Sequence, residues 1–164
     1  LFLLDRCFVL NRYSLDSGKD LVILNTHNSA YVYDSVLRVE EMQILKEVML
    51  DEYKKGNYII AGGDWNQNPP GYNPSGDYNM HKFFPSQVKM NADFMPDGWQ
   101  WAYDDVAPTN RQNDKPFKIG VNGTTCLDYY LVSPNIGIID VEVIDLKFED
   151  SDHNPIYLRA RLKL

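Results

Sequence analysis

Near its end the chain alternates strictly between apolar and polar residues. Ile156, Leu158, Ala160, Leu162 and Leu164 are interleaved with Tyr157, Arg159, Arg161 and Lys163, the period of a strand with one covered face. Arg6–Ser14 and Leu21–Thr26 also read as strands, and Asp16-Ser17-Gly18 between them is turn chemistry, so a hairpin is predicted. Leu21-Val22-Ile23-Leu24 is a continuous apolar run, which predicts a strand covered on both faces. Ser35–Lys54 reads as a helix with Leu37, Ile44, Leu45 and Val48 at helical spacing, Ser35 as its N-cap and Gly56 as its stop. Tyr58–Ala61 then completes a βαβ unit.

From Asp64 to about Lys115 the pattern is irregular and rich in proline, from Pro69 and Pro70 through Pro74, Pro85 and Pro96 to Pro108. The same stretch holds Phe83, Phe84, Phe94, Trp99 and Trp101, which predicts a long ordered excursion, since disordered inserts lack such aromatics. Strands are predicted again over Phe117–Val121, Cys126–Ser133 and Ile139–Leu146.

Composition narrows the class. A length of 164 residues suffices for one domain with a core, and no apolar run approaches the length of a membrane-spanning helix. The net charge of −7, without a cluster of Lys and Arg, lowers the odds of tight binding to duplex DNA. It leaves open an enzyme that meets phosphate through a metal ion. Cys7 and Cys126 lie beside strand-like runs and read as two reduced core thiols. Asn122-Gly123-Thr124 fits an N-glycosylation sequon but reads better as a turn. Nothing in the sequence assigns a compartment, and export is left open. Leu1–Leu4 is apolar from the first residue, which reads as a piece cut from something longer.

Polar residues gather at predicted strand ends in four segments: Asn25-Thr26-His27, Gly63-Asp64-Trp65-Asn66, Leu127-Asp128-Tyr129 and Ser151-Asp152-His153-Asn154-Pro155. Each alone has a structural reading: a satisfied strand-end histidine, an Asp-Asn turn, an exposed or paired strand aspartate, a capped turn. Glycines at Gly62 and Gly63 would let the backbone approach whatever Asp64 holds. Together the segments suit attack of water on a phosphodiester. Carboxylates would hold a hard divalent ion, a carboxylate or histidine the water, and His and Asn the charged phosphorus centre.

The ordered set Asn25-x-His27, Arg38 and Gln43, Gly63-Asp64-x-Asn66, Asp128-Tyr129 with Leu131-Val132-Ser133, and Ser151-Asp152-His153-x-Pro155 resembles the endonuclease/exonuclease/phosphatase superfamily. The resemblance runs from about Arg6 to Leu164 and is weakest from Tyr72 to Phe117. It implies an α/β fold, part of a four-layer DNase I-like sandwich with a mainly antiparallel or mixed sheet and flanking helices. It also implies divalent-metal-dependent hydrolysis of phosphodiester or phosphomonoester bonds. By resemblance Asp64 orients or deprotonates the attacking water and Asn66 is its partner. Asp152 is a metal ligand, for Mg²⁺ or else Mn²⁺ or Ca²⁺. His153 stands at the scissile phosphate, oriented by Asp128. His27 is the second histidine, supported by Asn25.

The superfamily's first half supplies an early Asn and a Gln-Glu motif whose Glu binds metal. Neither is present, and Glu40, Glu41 and Glu47 fall on the predicted helix. Residues 1–164 therefore read as the C-terminal half to two-thirds of one such domain, without tight metal binding by themselves. The expected partners are a phosphate ester (nucleic acid, phospholipid head group or small molecule), the absent half of the domain, and a second copy through the apolar face of the last strand. The alternative class is a non-catalytic module whose aromatics, led by Trp99 and Trp101, stack on glycans or nucleic acid.

Overall fold

A computed structural model describes residues 6–30, 35–73 and 89–163. Leu1–Leu4, Pro74, Phe83, Phe84, Pro85, Leu164 and the Ser35 side chain lie outside the described residues. The elements in order are β1 (Phe8–Ser14), β2 (Asp20–His27), α1 (Ser35–Lys54), β3 (Tyr58–Asp64), a 3₁₀ turn (Ala92–Phe94), β4 (Gln100–Ala102), β5 (Asn110–Arg111), β6 (Thr124–Thr125), β7 (Asp128–Val132), β8 (Ile136–Val143) and β9 (Ile156–Leu162).

Five strands form one mixed sheet in the order β1-β2-β3-β7-β4. The predicted hairpin is the antiparallel β1–β2 pair, and α1 carries the chain across to β3, which runs parallel to β2. Strands β3 and β7 pair antiparallel, as do β7 and β4. The fold is mixed α/β, as expected. Phe117–Val121 is not a strand: residues 119–121 form a turn, and the strand lies later, as the two residues of β6.

Helix α1 has the predicted bounds but a different buried face. Arg38, Met42, Leu45, Met49 and Glu52 are buried at helical spacing, while Leu37 and Ile44 are exposed. Two of these inward positions are charged, so an apolar pattern could not reveal them. Arg38 donates to the Ser29 carbonyl at 3.1 Å. The Glu52 carboxylate accepts from Arg12, Lys55 and Asn57, and the Arg12 hydrogen bond leads the causes that hold its pKa down to about 2. A satisfied buried carboxylate of this kind ties the helix end to β1.

The helix covers one face of the sheet, where Val22, Leu24, Ile59, Ala61, Tyr129 and Leu131 are buried. The opposite face, with Tyr58 and Val132, packs against Leu158, Ala160 and Leu162 of the β8–β9 hairpin. The apolar side of the last strand is half-buried within this chain. The run Leu21–Leu24 is covered fully on the helix side and only partly on the other.

Among the described residues, the aromatics of the excursion are buried in the core or packed against it. Trp65 is buried, stacks on Tyr129 at 5.4 Å and meets Trp101 edge-on at 5.7 Å, while Trp99 packs against Tyr53. Cys126 is buried but Cys7 is exposed, contrary to expectation, and neither forms a disulfide.

Asn122, of the sequon, is fully buried. Its Oδ1 accepts from Lys118 N at 2.8 Å, and its Nδ2 donates to the carbonyls of Gln112 and Lys115. The side chain staples the loop between β5 and β6, and no glycan fits there. Replacing Asn122 with Ala should lower stability by about 1–3 kcal/mol in chemical denaturation, since buried backbone groups lose partners. A change below about 0.5 kcal/mol, the size of an ordinary surface substitution, would show that the loop does not depend on it.

Candidate active site

The register of three strands sets the site. His27 of β2 lies opposite Asp64 of β3, and Asp64 lies opposite Asp128 of β7. Residues opposite one another in a sheet project from the same face, so these side chains form one row at the strand ends. Asp64 Oδ2 stands 3.4 Å from His27 Nε2 and 3.9 Å from His153 Nε2. His153 Nδ1 is 2.8 Å from Asp128 Oδ2.

Asn66 follows through a tight turn, with Asn66 itself at φ 51° and its N–H donating to Asp64 Oδ1 at 2.9 Å. Between them Trp65 is buried, its indole N–H donating to the Tyr129 carbonyl at 2.9 Å. An inward Trp thus anchors an outward Asp and Asn. The glycines before Asp64 serve packing rather than a close ligand. A Cβ on Gly62 would lie 2.5 Å from the Tyr130 ring, and one on Gly63, at φ 133°, would lie 2.0 Å from the Thr26 carbonyl oxygen.

Asn25 projects two residues before His27 and lines a cleft of about 570 Å³ with Gly62, Asp128, Tyr130 and His153. No hydrogen bond joins the Asn25 side chain to His27, so the expected support is not a direct contact. Asp152 stands beside His153, its carboxylate accepting from Asn113 Nδ2 at 3.0 Å. Arg38 and Gln43 are not in the site: Arg38 is buried against Ser29, and Gln43 bonds Glu47 on the outer face of α1.

Electrostatics follow from this crowding. Burial, then the charge of Asp128, pushes the Asp64 carboxyl up to about 6. Burial and then Arg6 lower His27. Burial also pulls His153 down, but the Asp128 hydrogen bond and the charges of Asp128, Asp64 and Asp152 outweigh it, and the net direction is up.

Four residues missed from the sequence complete the arrangement. Arg6 NH1 is 3.0 Å from His27 Nε2, and a guanidinium only donates, so that nitrogen is an acceptor and the ring is neutral. Thr109 Oγ1 accepts from the N–H groups of Leu127 and Asp128 at 2.9 and 3.0 Å. Asn110 reaches His153, and Asn113 reaches Asp152. The strand carrying Asn110 is two residues long, too short to show any period. Only the Asn and Thr content of 109–113 could have drawn attention to it.

The expected divalent ion needs several oxygen ligands at once. Among the described residues, no group of three or more His, Cys, Asp or Glu side chains is placed to hold one. The Asp152 carboxylate alone falls short of the six or so oxygen ligands such an ion prefers. The residues present do not fit the ion by themselves.

No family model and no curated protein matches the sequence. Solved structures do match. A mannosyl-6-phosphatase of Bacteroides thetaiotaomicron aligns with 98% of this chain at TM-score 0.62 and 18% identity. TDP2 of D. rerio, solved with a single-strand DNA product, aligns with 95% at TM-score 0.63 and 15% identity. An endonuclease/exonuclease/phosphatase of Beutenbergia cavernae aligns with 97% at TM-score 0.59 and 18% identity. The chain spans 58%, 62% and 40% of those proteins respectively. It has the fold of the endonuclease/exonuclease/phosphatase proteins over that share of their length.

Asp64 faces Asp128 across an antiparallel pair, where like charges destabilise. Its folded pKa is raised from the ordinary 3.8 to about 6. The folded state therefore holds that proton more tightly than the unfolded chain. The cost of ionising Asp64 is absent below pH 3.8 and complete above about 6. Asp64→Asn should thus stabilise the fold by about 1–3 kcal/mol at pH 8. Urea denaturation at two pH values checks this. A destabilised variant at pH 8, or a gain that persists in acid, would contradict it.

Proposed function

We propose that this chain carries the water-activating and charge-stabilising side of a site that hydrolyses phosphate esters. The observation that supports this most is the row His27, Asp64, Asp128 with His153 bonded to Asp128 at 2.8 Å. Two carboxylates and two imidazoles within contact of one another have a cost for stability and no packing benefit. Asp64, half-ionised near pH 6 and bonded directly by Asn66, is suited to take a proton from an attacking water. Asp128 fixes His153 at Nδ1 and balances charge that the ring acquires. Arg6, beside His27, is a fixed cation at the mouth of the row.

The domain as proposed is part of a four-layer α/β sandwich, and a further half of it would bring the oxygen ligands that a divalent ion requires. The matched proteins are named for a sugar phosphatase and for an enzyme solved with a DNA product, which supports phosphate esters in general as the substrate class. The cleft is also lined by Glu149 and Asp150, and the chain carries a net charge of −7. Both features favour a small phosphate ester over a long polyanion. Against the aromatic binding module stands the burial of Trp65 and Tyr129, with Trp99 and Trp101 packed against the same core.

The test is hydrolysis of para-nitrophenyl phosphate and bis-para-nitrophenyl phosphate by the protein that carries this chain, assayed with excess Mg²⁺. Activity should rise with pH through about 6 as Asp64 ionises. His153→Ala should lower kcat by about 10²–10⁴-fold, and Asp128→Ala by less. Undiminished activity in His153→Ala and Asp64→Asn would overturn the reading. An equal or larger loss at Asp128 would show that it does more than orient the ring.

A further inference from the structure

His153 is held at both ring nitrogens. Nδ1 meets Asp128 Oδ2 at 2.8 Å, and Nε2 meets the Asn110 amide nitrogen at 2.7 Å. Which end of the Asn110 amide faces the ring is decided by a third group. The same nitrogen lies 3.2 Å from the Asp152 backbone carbonyl, which can only accept. Turning the amide over would set two carbonyl oxygens against each other, so Nδ2 is the atom that faces both. Asn110 therefore donates to Nε2, and Nε2 can only be a lone pair.

The amide has little freedom to do otherwise. Asn110 is 6% exposed, and its backbone is paired with Thr125 on one side and bridged to His153 on the other. Arg111 N donates to the Asp152 carbonyl at 3.0 Å, and Asn154 N donates to the Thr109 carbonyl at 2.8 Å. One short segment thus grips residues 152–154 by backbone and side chain while Thr109 holds the start of β7.

We propose that Asn110 is a positioning residue for His153, one that fixes the neutral ring with its proton on Nδ1 and its Nε2 lone pair accepting from the Asn110 amide. Asp128 and Asn110 demand the same tautomer from opposite sides, which leaves the ring one orientation. In that state Nε2 accepts from Asn110 and has no proton to give. Both N–H groups of the Asn110 amide are engaged, one by Nε2 and the other by the Asp152 carbonyl. The catalytic consequence rests on the phosphate-ester reading above, whereas the tautomer does not.

The test reads the imidazole nitrogens of ¹⁵N-labelled protein directly, at a pH where the rings are neutral. The wild-type chain should show protonated Nδ1 and a hydrogen-bonded, unprotonated Nε2. In Asn110→Ala the Nε2 resonance should move to that of a free lone pair. In Asp128→Ala the proton should stay on Nδ1, because Asn110 still occupies Nε2. In the Asp128→Ala, Asn110→Ala double variant it should shift to Nε2, which an unconstrained imidazole favours. An unmoved Nε2 resonance in Asn110→Ala would overturn the proposal, as would a proton on Nε2 in Asp128→Ala. If either Asp128 variant fails to fold, the Asn110→Ala resonance decides. In the enzyme assay Asn110→Ala should lower kcat by about 10- to 100-fold with little change in KM. Absent phosphatase activity with the expected tautomers would overturn the functional reading and leave the assignment of Asn110 standing.

Discussion

Everything in the site depends on strand register. His27, Asp64 and Asp128 come from segments far apart in sequence, and they meet only because β2, β3 and β7 pair so that the three share a row. A slip of one residue in either pairing would send one of them to the opposite face, into the layer under α1. The register is secured from that layer. Val22 and Leu24, Ile59 and Ala61, Tyr129 and Leu131 alternate with the outward residues and are buried against the helix. The burial that stabilises the sheet is therefore also what aligns the polar row. Trp65 extends the same logic one residue past β3, since its indole can be buried only with Asp64 and Asn66 turned outward.

The row itself works against the fold. Burial, and then the charge of Asp128 facing it, raises the energy of the ionised Asp64 carboxylate, which sits at a pKa near 6. The neighbouring residues supply the compensation: Asn66 N–H to Asp64, the His153 ring to Asp128, and Thr109 accepting from the backbone at Asp128. A second segment, 109–113, closes the arrangement by gripping 152–154, so that the last loop of the chain sits over the strand ends rather than beside them. Local strain and a polar network concentrated in one place are what a functional site shows and a packing core does not.

Much of this was legible in the sequence. The helix bounds, the βαβ unit and the terminal strand follow from period and capping signals, and the four strand-end segments that the fold brings together were visible because each broke an apolar run. The reading failed where one residue type served an unusual purpose. Arg38 and Glu52 face inward, so the buried side of α1 carries charges at both ends and the apolar count pointed elsewhere. Gly62 and Gly63 looked like room for a ligand, but Tyr130 and the Thr26 carbonyl fill the space. Asn110 and Arg6 left no trace, because a side chain that reaches across the fold to cap an imidazole has no sequence period. Their roles exist only after β7 and residues 152–154 are in place.

The central claim is that this row, and not some other surface of the chain, meets a phosphate. Titration with inorganic phosphate, followed through the ¹⁵N resonances of the side chains, addresses it without relying on catalysis. The predicted result is saturable change at the ring nitrogens of His153 and His27 and at the side-chain amides of Asn66 and Asn110, with the exposed face of α1 unmoved. Changes confined to other residues, or none at the two rings up to saturation elsewhere, would contradict it.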